Sequence, residues 1–303
     1  MATSSEVSTA NRTLTISRVI NAPRETVFKV WTEPRHLSQW WGPKGFTNPL
    51  CKIDTKPDGA IYIDMKGPDG IVYPMSGVVH EMRAPEKLVF TATPLDNNGA
   101  PFFEILNTIT FEDSRGSTKL TIRAEVSKFN GGEQHLKGME EGWNQSLVRL
   151  ADILVDPEKL DRELVISRLL NAPRELVFKV WTDPEHVKNW WGPNGFTNTI
   201  SKMEIKPGGE WDLVMHGPDG TNYKNKSVFR EIVKPERIVY DHISGPKFLT
   251  TITLTAEGKK THIKWSMLFE SKESFDQTVK TFGADEGLKQ NIEKLDQYLA
   301  NVK

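Results

Sequence analysis

Residues 21–48 read NAPRETVFKVWTEPRHLSQWWGPKGFTN, and residues 171–198 read NAPRELVFKVWTDPEHVKNWWGPNGFTN. At this offset of 150, 21 of 28 positions are identical. The likeness continues more loosely: MKGPDG at Met65–Gly70 is answered by MHGPDG at Met215–Gly220, and PEKLVF at Pro85–Phe90 by PERIVY at Pro235–Tyr240. Beyond these the offset drops to about 143, because the first copy carries a longer Pro94–Pro101 segment. Solenoid units repeat every ~20–50 residues, so this period marks a duplicated domain. The 303 residues divide into domains at 11–156 and 157–303, joined near Asp156-Pro157-Glu158.

Each copy reads the same way outward from the repeat. Thr13–Ile20 and Glu163–Leu170 alternate as strands do. Pro23 and Pro173 suit a first helical turn, with Asn21 and Asn171 as candidate caps. Val27, Val30 and Trp31 then form an apolar stripe at helical spacing, repeated by Val177, Val180 and Trp181. Pro34 and Pro184 start a second short helix that carries the Trp pair and stops at Gly-Pro. Alternating runs punctuated by turns follow, from about Leu50 to Ser127 and from Ile200 to Ser271. Trp143, Leu147, Leu150 and Leu154 predict a closing helix, as do Leu288, Ile292, Leu295 and Leu299. The class is α+β, with an antiparallel sheet burying one face against the last helix.

Composition removes several function classes. Lys+Arg total 39 and Asp+Glu 40, a net charge of −1, with neither half basic, which argues against nucleic acid as a partner. One cysteine, Cys51, supports no intramolecular disulfide and no Cys-rich zinc site. The N-terminus lacks a secretory pattern, and no run approaches 18 apolar residues. The expectation is a cytoplasmic protein without a membrane partner.

The element order, the Asn-Ala-Pro-Arg-Glu segment, the Trp-x8-Trp-Trp-Gly-Pro spacing and the closing amphipathic helix resemble the START/polyketide-cyclase/birch-pollen-allergen (SRPBCC) superfamily. Within it, the chain looks most like domains related to the activator of the 90-kDa heat-shock protein ATPase, here in tandem. The resemblance implies two helix-grip (START-like) domains, each with a sheet wrapped around a long C-terminal helix and two short helices after the first strand. It also implies a cavity between sheet and helix that often holds a hydrophobic ligand. Fold alone does not dictate function.

Catalytic templates fit poorly. No Gly-x-Ser-x-Gly elbow exists, and Cys51 with its counterpart Ser201 reads as a strand position. The seven histidines (His36, His80, His135, His186, His216, His242 and His262) form no His-x-His or His-Glu-x-x-His spacing. His36 and His186 read as helix-surface or capping residues. The two Gly-Pro-Asp-Gly segments read as hairpin turns, not phosphate loops. The pairs Asp64/Val214 and Thr91/Asp241 differ between copies, so a carboxylate mechanism there would serve one domain only. No catalytic residue, metal ligand or cofactor is assigned.

Strand parity nominates the inward faces. In the second copy these are Trp211, Met215, Tyr223, Asn225, His242 and Trp265; in the first they are Ile61, Met65, Tyr73 and Ile122. Parity leaves a filled core and a pocket of roughly 300–1,000 Å³ equally open; the family resemblance implies the pocket. The leading expectation is non-catalytic binding of a small hydrophobic or amphipathic molecule in a cavity of one or both domains. The alternatives are a protein-interaction role beside a heat-shock chaperone in a stress response, and a cyclase or hydrolase acting on an aromatic or polyketide-like substrate. For that enzyme His242, Asp241, Asn225 and Tyr223 are the first candidates. A monomer with its two domains packed together is expected.

Overall fold

The computed structural model describes residues 3–8, 13–96, 98–129 and 138–302, with the backbone alone described for 3–8 and Phe129. His135 lies outside the described residues. The chain forms two compact units that divide at Leu160/Asp161.

In the first unit the alternating segment β2 (Thr13–Ile20) leads into α1 (Arg24–Thr32) and α2 (Pro34–Trp40). The strands β3 (Thr47–Ile53), β4 (Ala60–Lys66), β5 (Val72–Arg83), β6 (Lys87–Pro94), β7 (Phe103–Ser114) and β8 (Ser117–Phe129) follow, closed by α3 (Met139–Ile153). The sheet meanders antiparallel, and β8 returns to pair with β2. An additional edge strand, β1 (Thr3–Ser8), pairs with β2 and lies outside the repeat read from sequence.

The second unit repeats the plan with β9 (Glu163–Leu170), α4 (Arg174–Thr182), α5 (Pro184–Trp190), β10 (Thr197–Met203), β11 (Glu210–His216), β12 (Asn222–Val233), β13 (Arg237–His242), β14 (Phe248–Glu257) and β15 (Lys260–Phe269). It ends with α6 (Lys272–Phe282) and α7 (Ala284–Asn301). Both sheets carry a bulge at matched positions, Val79/Glu81 and Phe229/Glu231, a local twist retained through the duplication. No helix among the described residues is long and apolar enough to cross a membrane.

The repeated motif fixes the short helices through the same bonds in both units. Trp40 and Trp190 are fully buried and donate their indole N–H to Val30 O (3.1 Å) and Val180 O (3.3 Å). The last carbonyls of a helix have no intrahelical donor. Asn48 Nδ2 supplies one to Ser38 O (2.9 Å) and Trp41 O (2.8 Å); Asn198 Nδ2 does so to Lys188 O (3.4 Å) and Trp191 O (2.7 Å). The closing helix supplies the rest. Arg149 of α3 donates to Gln39, Trp41, Gly42 and Pro43 carbonyls at 2.8–3.1 Å. Lys294 of α7 reaches Pro193 O (3.2 Å) and Phe196 O (3.5 Å). Gly42 (φ +87°) and Gly192 (φ +89°) adopt left-handed backbone at this turn, and a Cβ there would meet Met65 and Met215 at 3.2 and 2.9 Å.

Several local expectations change. Asn21 and Asn171 do not cap; α1 and α4 begin behind Pro23 and Pro173 without a side-chain cap, and Asn21 Oδ1 instead accepts from Ser117 Oγ (3.4 Å). His36 is no surface residue: it is 1% exposed, with Nε2 3.3 Å from Glu33. α6, capped by Ser271 Oγ accepting from Ser274 N (3.2 Å), precedes the expected last helix and buries Phe275 and Thr278.

Replacing Arg149 by Met keeps the apolar stem but leaves four carbonyls without that donor, with an expected cost to the first unit of about 2–4 kcal/mol. Lys294→Met, which removes two longer bonds, should cost the second unit less. Calorimetry of the full-length variants reads both; a loss below ~1 kcal/mol for Arg149→Met would show that the grip is incidental.

Candidate functional site

The second unit carries the cleft of interest, at the ends of β13, β14 and β15. Register sets two adjacent cross-strand rows there: His242, Phe248 and Phe269 on the core side, and Asp241, Leu249 and Leu268 on the outer side. His242 stacks flat on Phe248 (4.5 Å, 4°), and Phe248 leads to Phe269 (5.2 Å) and then Phe275 (5.6 Å). A cleft of about 480 Å³ spans these strand ends and is bordered on its apolar side by Ile243, Phe248, Leu249, Leu268 and Phe269.

Its ionisable border is Arg162, Arg230, Asp241, His242, Lys247 and Glu270. Arg230 is ion-paired with Asp241. Arg162 is anchored to β15 in both directions: its Nη1 donates to Phe269 O (3.0 Å), and Phe269 N donates to Arg162 O (2.8 Å).

His242 is the polar centre. Its Nδ1 lies 2.7 Å from Pro246 O, which fixes the proton on that nitrogen. Nε2 then accepts from Ser244 Oγ (3.1 Å), whose oxygen accepts from Lys226 N (3.0 Å). Asn225 Oδ1, its amide oriented by Nδ2 donating to Tyr223 O (2.9 Å), stands 3.0 Å from the same Nε2 as a second acceptor and makes no hydrogen bond to it while that nitrogen carries no proton. Burial pushes the imidazole below its ordinary value, against the opposing hydrogen bonds from the Pro246 and Ser244 backbone. It is therefore neutral at pH 7. In the first unit the register-matched positions are Met75, Ala92 and Ile105, all apolar.

Of the ten residues nominated by parity, His242 borders the cleft and Asn225 touches His242. Trp211 and Trp265 instead join a packed ring cluster, with Trp191–Trp211 at 4.7 Å, Trp191–Trp265 at 5.5 Å and Trp211–Tyr240 at 5.5 Å. The Nε1–H groups of Trp211 and Trp265 meet no acceptor, so packing alone holds these two rings. Ile61 and Ile122 are core residues as well, and the space beside Ile61, Trp31, Trp41 and Phe90 is only about 10 Å³. That is room for about one water; Trp143 of α3 stacks on Trp31 beside it (5.9 Å, 22°). Met65 and Met215 cover the left-handed glycines described above. Tyr73 and Tyr223 have the inward parity but stand at the strand ends, 37% and 39% exposed, against Phe46 and Phe196.

Parity also points to Phe269, which alternates with Trp265 and Met267 and borders the cleft, but sequence reading missed Arg162, Lys247, Phe248, Leu268 and Glu270. The short Gly245-Pro246 connection, set against the longer Pro94–Pro101 segment of the first copy, was the available signal. No three His, Cys, Asp or Glu side chains converge as a metal site among the described residues.

A tandem of α+β units built on this helix-and-sheet grip defines the class. The sequence profile of the family described as Activator of Hsp90 ATPase homolog 1-like protein matches residues 21–155 and again 171–300, and the chain belongs to that family. Among solved structures it is similar to a protein from Arthrobacter aurescens (25% identity, 47% of this chain and 88% of that one, TM-score 0.45). It is also similar to protein Ms6760 from Mycobacterium smegmatis (23%, 51% and 98%, TM-score 0.46). The di-domain ARO/CYC StfQ of the steffimycin biosynthetic pathway matches along more of the chain (12%, 94% and 98%, TM-score 0.42). No curated protein matches the sequence.

The unfolded imidazole takes up its proton near pH 6.5, and folded His242 does so only at lower pH. Its contribution to stability is thus complete above pH 6.5 and is lost as the pH falls below it. An NMR titration of the ring should give a midpoint under 6.5, and His242→Gln should flatten the acid side of the stability profile. A midpoint at or above 6.5 would contradict the neutral assignment.

Proposed function

We propose that this protein binds a small amphipathic molecule without chemical turnover, and that the second unit carries the site. The observation supporting this most is the cleft itself: about 480 Å³ across the ends of β13, β14 and β15, walled by Phe248, Leu249 and Leu268 and bordered by anchored polar groups. That volume falls within the ~300–1,000 Å³ of small-molecule sites. A stack of aromatic rings beside a few anchored polar groups suits a ligand with an apolar body and one polar end. The first unit serves as a filled structural copy.

The test uses register-matched substitutions in the full chain. Leu249 pairs with Asp241 on the cleft wall, and Leu106 pairs with Thr91 at the same place in the first unit. With the neutral fluorophore N-phenyl-1-naphthylamine as probe, Leu249→Trp should weaken binding by at least about tenfold, while Leu106→Trp leaves it unchanged. Equal effects from both substitutions, or no saturable binding to the wild type, would refute the assignment to the second unit.

A further inference from the structure

The charges around the cleft are not balanced pair by pair. Arg230 is taken by Asp241. Among the described residues no carboxylate ion-pairs with Arg162 or Lys247. Arg162 is nonetheless held in place, since one guanidinium nitrogen is committed to Phe269 O (3.0 Å). A guanidinium fixed in this way has already lost part of the rotamer freedom it would lose on binding, and it presents a donor fork suited to a carboxylate. Glu270 is exposed to water, and buried His242, its two ring nitrogens committed to Pro246 O and Ser244 Oγ, adds no charge.

Three cationic side chains against two carboxylates leave the rim with one positive charge, in a chain whose net charge is −1. Resting on the binding function proposed above, we propose that the cleft selects a monoanionic amphiphile of the carboxylate class. The carboxylate lies against Arg162 and Lys247, and the apolar body lies along Phe248, Leu249 and Leu268. One ligand anion neutralises the surplus charge, and the apolar row gives the remainder of the ligand a surface to leave water for. The first unit does not share this chemistry, because Met75, Ala92 and Ile105 stand where the second has Asn225, His242 and Phe248.

The test compares 1-naphthaleneacetic acid with its neutral amide, which differ only at the polar end, by calorimetric titration of the full-length protein. At 50 mM NaCl the acid should bind about tenfold more tightly than the amide, and the ratio should shrink at 500 mM NaCl. Lys247→Glu, at an exposed position, should abolish the ratio. Arg162→Lys should keep most of the ratio, and Arg162→Gln should lose it. Equal affinity for acid and amide, or a ratio indifferent to Lys247→Glu, would overturn the anion assignment while leaving the binding function standing. If neither ligand binds and N-phenyl-1-naphthylamine also fails, both readings fall together. Phosphatidylglycerol vesicles test the other source of anionic amphiphile: co-flotation with them, without binding of the free acid, would replace a soluble carboxylate by a lipid surface and overturn the proposal.

Discussion

The grip of the last helix on the Trp-Trp-Gly-Pro turn is the constraint on which each unit depends. The short second helix ends in carbonyls that its own backbone cannot satisfy, and the buried tryptophans beside them exclude water. Arg149 reaches across from α3 to Gln39 O and to the carbonyls of the turn after it, and Lys294 reaches from α7 to the turn carbonyls of Pro193 and Phe196. Burial pushes the guanidinium of Arg149 down to about 10, so it remains charged at neutral pH, and lowers Lys294 as well. Desolvation opposes each contact and the hydrogen bonds offset it. The result ties the beginning of each domain to its end, which no local propensity achieves.

Around this tie the cores were repacked by exchange. In the first unit the closing helix contributes Trp143 and the sheet contributes Ile122; in the second the helix contributes Leu288 and the sheet Trp265. A large and a small residue have traded places across one interface, and a stacked indole pair persists in both: Trp31 on Trp143 at 22°, Trp191 on Trp265 at 26°. Cores tolerate substitutions that conserve total volume far better than additions or deletions. That rule explains how units with little likeness outside the motif keep one architecture.

The sheet, the paired short helices and the closing helix were legible because their periodicities are strong and occur twice. The fate of Trp40 and Trp41 was not: neighbours on a helix point ~100° apart, yet this turn ends at Trp40 and folds Trp41 back onto Phe90 (6.1 Å) and Trp143 (5.3 Å). α6 escaped notice because only Phe275 and Thr278 of its eleven residues are buried, too sparse a stripe to register. The cleft was hidden for a different reason. Parity sorts one sheet face from the other, whereas this space lies across strand ends and draws on both, with Arg162 and Lys247 coming from connecting segments that no periodicity describes.

The polar cluster and the short connection in the second unit depend on each other. A buried imidazole without partners costs ~1–3 kcal/mol per unsatisfied group, so an Ala92-to-His change alone would have been selected against. Pro246 O at 2.7 Å and Ser244 Oγ at 3.1 Å satisfy both ring nitrogens, and both groups belong to the connection between β13 and β14. In the first unit the longer connection is organised instead by Asp96, which accepts from Asn98 N and Ala100 N at 2.8 Å. The short connection therefore supplies the imidazole's partners and borders the cleft beside it. The two features depend on each other, and together they distinguish the strand ends of the second unit from the apolar Met75, Ala92 and Ile105 of the first.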